Sequence, residues 1–267
     1  MNETEQRICG CIDAHAQQLI AFAEDIYSHA ELGYTEHRTA GKVADWLQSC
    51  GMDVQTGLAN TGVKASLGSA APSVCLIGEL DGIRSPEHPL AVPKTGMSHA
   101  CGHHMQLTAL AGAALALSQP EVASALTGRA VFFAVPCEEH VPMNRLEQLR
   151  SDGIATCCGG KPELLPATYE PVNPSVHNAA STDVGDLSHR MPIVNFTYGG
   201  FSGTLHGADF RITDKEKAYL YPAKLAALTM YHLLCDHAAQ AQALLSDFHP
   251  AMTAEEYRAY AHKFGCQ

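Results

Sequence analysis

The chain has 267 residues, 46% of them hydrophobic, enough for one large buried core or two small ones. Its formal net charge of −11 argues against nucleic acid, whose phosphates need clustered Lys and Arg, and against an anionic membrane surface. No run of about 18 apolar residues is present, so no transmembrane helix is expected.

Leu19, Phe22, Ala23, Ile26 and Tyr27 recur at helical spacing and predict a helix over 13–29. Ala40, Val43, Ala44 and Leu47 predict a second over 36–49, stopped at Gly51. Val63 to Leu67 and Val74 to Leu80 read as strands, the second leading into Asp81-Gly82. The Ala- and Leu-rich run from His104 to Leu117 reads as a buried helix, stopped by Pro120. Ala130 to Val135 is continuously apolar and reads as an inner strand covered on both faces, ended by Pro136. Residues 156–182 lack periodicity and read as a loop or junction, followed by an expected strand from Pro192 to Tyr198. Thr213-Asp214-Lys215-Glu216 has the capping-box pattern and opens an expected helix to about residue 238; a last helix is expected over 253–264. Strands alternating with helices indicate an α/β layered domain, in which ligands bind beyond the carboxyl ends of strands.

Ten cysteines are present. Cys75 and Cys235 lie in apolar runs, where a thiol serves as a small hydrophobe. The polar, acidic start, Met1-Asn2-Glu3-Thr4-Glu5, is unlike a signal peptide. Reduced thiols and a cytoplasmic location are therefore expected. Cys9-Gly10-Cys11 offers two sulfurs at close spacing, and packing accounts for them more simply than metal or redox chemistry.

Chemistry concentrates in two stretches. Ser98-His99-Ala100-Cys101-Gly102-His103-His104 places a thiol and an imidazole around a glycine, and Pro136-Cys137-Glu138-Glu139-His140 follows a strand with paired carboxylates. Sulfur, nitrogen and carboxylate oxygen together suit zinc or a similar divalent ion. In a Glu-Glu pair, one carboxylate can bind metal while its neighbour carries a proton, the division that metal-assisted hydrolysis requires.

These stretches resemble the aminoacylase-type metallopeptidases, in their amidohydrolase branch. Five blocks carry the resemblance in family order: His29-Ala30-Glu31-Leu32-Gly33-Tyr34 with Glu36 and Thr39; Gly78-Glu79-Leu80-Asp81-Gly82; His99-Ala100-Cys101-Gly102-His103; Pro136-Cys137-Glu138-Glu139; and Ser181-Thr182-Asp183-Val184-Gly185-Asp186 with Gly203-Thr204-Leu205-His206. The resemblance implies a zinc-aminopeptidase-like catalytic domain, a three-layer α/β fold with a mixed sheet flanked by helices. It implies Cys101, His103, Glu139 and His206 as ligands of one or two divalent ions, zinc on grounds of thiolate softness with manganese as the other family metal. It implies Glu138 as general base and Asp81 as a catalytic-region residue that orients a ligand imidazole.

The chain departs from the family in two ways. His104 stands where Asp or Asn is usual. The family's inserted lid, used for dimerisation, is missing near 160–180, together with a ligand histidine before it, so 1–267 reads as a single catalytic domain. His104, His140 and His177 are further candidates for the missing nitrogen; His99, Asp183 and Asp186 read as supporting residues. The implied function is metal-dependent hydrolysis of an amide in a small N-acyl amino acid or dipeptide-like substrate. Two other readings stand beside it: a single-metal lidless variant performing cyclisation or acyl transfer, like glutaminyl cyclases, and a catalytically silent metal-binding or scaffold protein. A partner protein or homo-oligomer is expected at the surface a lid would shield.

Overall fold

The computed structural model describes residues 1–139, 187–188 and 190–263. The chain opens with helix α1 (Glu3–Ala14), started by a reciprocal capping box: Asn2 Oδ1 accepts the Glu5 N–H at 2.8 Å, and Glu5 Oε2 accepts the Asn2 N–H at 2.8 Å. The expected 13–29 helix is α2 (Ala16–Tyr27). His15 separates the two helices, with its N–H and its ring Nδ1 both turned back on the Cys11 carbonyl. α3 (His37–Ser49) buries Ala40, Val43, Ala44 and Leu47, and the chain turns out of it at Gly51, φ +78°.

Strands β1 (Asp53–Leu58), β2 (Gly62–Leu67) and β3 (Ser73–Glu79) follow. A small ladder joins β4 (Ile83–Arg84) to β5 (Met97–Ser98). Helices α4 (His103–Leu117) and α5 (Pro120–Ala123) lead to β6 (Arg129–Val135). The main sheet has the order β1-β2-β6-β3; β6 runs antiparallel to β2 and parallel to β3, so the sheet is mixed. β6 is an inner strand, with Phe132 fully buried on one face and Val131 7% exposed on the other. The parallel β3–α4–β6 crossover brings the ends of β3 and β6 side by side, with Glu79 paired to Val135. Everything at the candidate site follows from that juxtaposition.

α4 is buried nearly all round, packing on β3, α1, α2 and α6 (Tyr221–Leu234). Its small residues permit this: a Cβ on Gly112 would lie 2.6 Å from the Ala223 Cβ of α6.

The C-terminal part departs from the sequence expectations in detail. Pro192 to Tyr198 is not a strand. Phe196 and Tyr198 pack on the core, but no strand edge among the described residues pairs with this run; apolar composition speaks to burial, not to a ladder partner. A short ladder instead joins β7 (Phe201–Ser202) to β8 (Arg211–Ile212). The next helix is capped by Asp214, whose Oδ1 accepts the Lys217 N–H at 3.1 Å, not by Thr213. It opens with a π turn (Glu216–Leu220) and ends at Leu234, because Asp236, His237 and Ala238 all take left-handed φ. Helices α7 (Ala239–Asp247) and α8 (Ala254–Lys263) close the described chain. Among the described residues, no helix is long and apolar enough to cross a membrane.

Candidate metal centre

Three chain segments converge beyond the carboxyl ends of β3 and β6. β3 delivers Glu79 and, just past its end, Asp81. β6 delivers Glu138 and Glu139, its exit stapled to that of β3 by the Leu80 N–H donating to the Val135 carbonyl at 2.9 Å. The turn into α4 delivers Cys101 and His103 through Gly102, whose φ of +92° suits a residue without Cβ.

His103, 4% exposed, is the hub. Its Nδ1 lies 2.8 Å from the Asp81 carbonyl and 3.4 Å from Asp81 Oδ1. Its Nε2 lies 3.0 Å from Glu79 Oε2, 3.6 Å from Glu138 Oε2 and 3.8 Å from Glu139 Oε1. A carbonyl holding Nδ1–H leaves Nε2 as the atom that could bind a metal, the usual support for a metal-binding imidazole. Two overlapping donor sets result, Cys101–His103–Glu139 and Glu79–His103–Glu138, each with its atoms within 4.8 Å of one another. His206, in left-handed backbone at φ +67°, is tied by its N–H to the Ala100 carbonyl at 2.9 Å, and its Nε2 lies 3.1 Å from Glu139 Oε1. Asp81 Oδ2 accepts the Glu139 N–H at 2.9 Å, so Asp81 braces an imidazole and the acidic turn together.

The electrostatics are those of a cation site. Four carboxylates surround one imidazole in a pocket largely closed to water. Burial alone would lower the His103 pKa, but the Cys101 sulfur, Asp81 and Glu79 raise it well above its ordinary range. Burial would raise the pKa of Asp81 and of Glu79; hydrogen bonding to His103 and its charge bring both below the usual carboxylate range. Burial pushes the Cys101 thiol up against the pull of His103. Protonated His103 thus supplies the countercharge in the protein alone. A divalent ion bound to Nε2 would replace that proton, so the residues present fit a metal by donor chemistry and by charge.

The remaining candidates fall elsewhere. His104 points into the core, stacked on Tyr27 with ring centroids 4.3 Å apart, and neither of its ring nitrogens has a hydrogen-bond partner among the described residues. Burial, then the neighbouring His99 and His103, holds it neutral. His99 is also fully buried, its Nδ1 3.9 Å from Cys101 Sγ, and its pKa falls to about 3 through burial and then the His103 charge. His140, His177, Asp183 and Asp186 lie outside the described residues, as does the junction near 160–180.

Glu79 belongs to the cluster, although the motifs give it no role. It is 5% exposed and clamped by Gln106, whose Nε2 donates to Glu79 Oε2 at 2.8 Å and whose Oε1 accepts the Glu79 N–H at 3.2 Å. The available signal was an acidic residue in the last position of an otherwise apolar strand, three residues ahead of Gly82.

Three relatives illustrate the sequence similarity. An IAA-amino acid hydrolase ILR1-like protein of Arabidopsis thaliana is 34% identical over 127 residues, covering 45% of this chain and 28% of that protein. The N-acetyl-L-cysteine deacetylase of Bacillus subtilis is 28% identical over 161 residues, covering 57% and 38%. One of the subunits of the p-aminobenzoyl-glutamate hydrolase of Escherichia coli is 29% identical over 147 residues, covering 52% and 31%. These three relatives bear the names of amide hydrolases. The chain spans about a third or less of the length of the first curated relatives it matches. A Rhodococcus jostii protein named as a glutamate–cysteine ligase also aligns, 28% identical over 158 residues, with 20% of it covered. Among solved structures, a Bacillus subtilis protein described as a dinuclear metal binding peptidase of the M20 family aligns at 26% identity and TM-score 0.43, covering 53% of this chain and 40% of that one. Human carnosine dipeptidase 1 aligns at 18% identity and TM-score 0.41, covering 55% and 38%. No family model matches the chain.

Proposed function

We propose that the chain is a metal-dependent amidohydrolase acting on a small N-acyl amino acid or dipeptide-like substrate. The observation that carries this is the meeting of Cys101, His103 and Glu139 donor atoms within 4.8 Å, with Glu138 beside them, 3.6 Å from His103 Nε2. Cys101, His103, Glu139 and His206 would hold a divalent ion, zinc by preference because a thiolate is a soft ligand. When bound, the ion supplies Lewis-acid polarisation of the amide carbonyl and lowers the pKa of the attacking water.

The chain's own residues do the rest. Glu138, 13% exposed at the mouth of the cluster, takes a proton from the attacking water and returns it to the leaving amine nitrogen. Asp81 holds His103 Nδ1 through its carbonyl and the Glu139 backbone through its carboxylate, fixing a ligand and the base-bearing turn at once. Glu79, with Oε2 3.0 Å from His103 Nε2, would supply negative charge beside the ion that replaces the Nε2 proton. The relatives' names support the substrate class, since an acylated amino acid is what a deacetylase of N-acetyl-L-cysteine and an IAA-amino acid hydrolase have in common. On this reading residues 1–267 act as a single catalytic domain without the family's inserted lid.

The test is a panel of N-acyl amino acids offered to zinc-loaded wild type and Glu138→Ala. Full metal content with hydrolysis lost in the variant supports the assignment; equal turnover in both defeats it. Tight zinc with no turnover on any member would mark a silent metal-binding protein, and products of acyl transfer without hydrolysis would mark the transfer reading.

A further inference from the structure

We infer that Glu36 is a positioning residue for the site: its buried carboxyl holds the backbone turn that presents both Glu138 and Glu139. The inference rests on the function proposed above for what it would affect, but not for how it is read.

Glu36 is fully buried although it stands one residue ahead of α3. Its side chain does not cap that helix. The cap is supplied by Glu31, whose two carboxylate oxygens accept the Arg38 and Thr39 N–H groups at 3.0 and 2.8 Å. The Glu36 carboxyl reaches in the other direction. Oε1 accepts the Cys137 N–H at 2.9 Å, and Oε2 accepts the Thr61 hydroxyl at 2.6 Å.

Cys137 is where the acidic turn needs support. It follows Pro136, which ends β6, and it takes φ +64°, a left-handed conformation unfavourable to a residue with a Cβ. From this one strained residue the chain enters Glu138 and Glu139. With Cys137 in that conformation, their carboxylates lie 3.6 and 3.8 Å from His103 Nε2. A charge-assisted bond to its N–H is a direct means of keeping it.

The surroundings agree. Gly33 lies against Cys137 so closely that a Cβ there would fall 2.7 Å from Cys137 Sγ. The Glu31 carbonyl accepts the Gly82 N–H at 2.9 Å, just past Asp81. Residues 31–36 therefore strap together the exits of β3 and β6, and Glu36 is the tie to the β6 side.

The experiment measures amide hydrogen exchange of Cys137 by NMR in the metal-free protein, then zinc affinity by competition with a chromophoric chelator. Wild type, Glu36→Ala, Glu36→Gln and Thr61→Val are compared. Thr61→Val removes the other partner of the same carboxyl but spares the bond to Cys137. Glu36→Ala is expected to exchange at Cys137 at least about tenfold faster than wild type and to bind zinc at least about tenfold more weakly, the latter the size of effect typical of residues that orient ligands. Glu36→Gln keeps an acceptor oxygen and is expected to restore most of both. Thr61→Val is expected to leave both near wild type. The inference is overturned if Thr61→Val does the same damage as Glu36→Ala, or if Glu36→Ala changes neither quantity. Should Glu36→Ala fail to fold, wild type alone decides: a Cys137 amide exchanging as fast as an unbonded surface amide overturns it, and a protected one supports it. Failure of the proposed function would show separately, as absence of hydrolysis in a protein whose Cys137 amide still depends on Glu36.

Discussion

Asp81→Asn tests how the site is held. The Asp81 side chain is 1% exposed, and asparagine has nearly its shape, so the change alters hydrogen bonding and charge without opening a cavity. Asp81 Oδ2 accepts the Glu139 N–H at 2.9 Å while Oδ1 faces His103 Nδ1 at 3.4 Å. Asparagine offers one oxygen and one NH2. If the oxygen keeps Glu139, the NH2 confronts the His103 Nδ1–H; if it turns to His103, the NH2 confronts the Glu139 N–H. Either way an NH2 faces an N–H and the charge contact with His103 is lost, while the bond from His103 Nδ1 to the Asp81 backbone carbonyl stays, a cost of about 1–3 kcal/mol when unrelieved. Removing one of four clustered negative charges offsets part of this in the metal-free protein, leaving a net loss of roughly 1 kcal/mol in urea denaturation. Zinc affinity has no such relief, because the lost charge also attracted the cation. It should fall about 10- to 100-fold, or about 1.4–2.8 kcal/mol, in a competitive chelator titration. Zinc binding within about threefold of wild type would refute the claim that the Asp81 carboxylate helps hold the site, since the backbone carbonyl that holds His103 Nδ1 is unchanged in the variant.

Two other outcomes follow from the fold. Asp25 is bridged by Arg38 at 2.8 Å and Lys42 at 2.7 Å, and mainly its hydrogen bond to Arg38 lowers its pKa from the ordinary 3.8 to about 2. The pair therefore stabilises the fold above pH 3.8, and the contribution is lost as pH falls through about 2. Asp25 is 30% exposed, so screening should leave about 1 kcal/mol: Asp25→Asn should lower urea stability by that amount at pH 7, with the gap closing towards pH 2, and a gap that widens in acid would contradict the assignment. Gly112→Ala would set a methyl 2.6 Å from the Ala223 Cβ, forcing α4 away from α6 and costing about 1–3 kcal/mol despite alanine's better helix propensity; equal or higher melting temperature would show that the close approach is not required.

Much of the central architecture was legible because it is written in local patterns. The apolar runs at β3 and β6, and the Ala-rich α4 between them, define the crossover that builds the site. The positions of Asp81, Glu138 and Glu139 just past strand ends could be read from Gly82 and Pro136. What could not be read is what depends on distant partners. α1 has only Ile8 and Ile12 fully buried, too few apolar positions to announce a helix, and its start is fixed by side-chain capping. The 192–198 run looked like a strand because Phe196 and Tyr198 are apolar, but strand identity depends on an edge to pair with. Glu79 and Glu36 are acidic residues whose burial is set by Gln106, His103, Thr61 and Cys137, which are contacts between segments far apart in the chain. Beyond the place of Glu79 at the end of an apolar strand, neighbouring sequence carries no trace of such contacts. His104 shows the same limit in reverse: beside His103 in sequence, it turns into the aromatic core.

The proposed function depends most on Cys101, His103 and Glu139 serving a common cation. Anomalous diffraction above the zinc absorption edge, on crystals of the zinc-loaded protein, tests this directly. The expected result is a strong peak at bonding distance, about 2.0–2.3 Å, from Cys101 Sγ, His103 Nε2 and a Glu139 oxygen, with His206 as the fourth donor. A peak bonded to none of the first three, or no peak at saturating zinc, would contradict it.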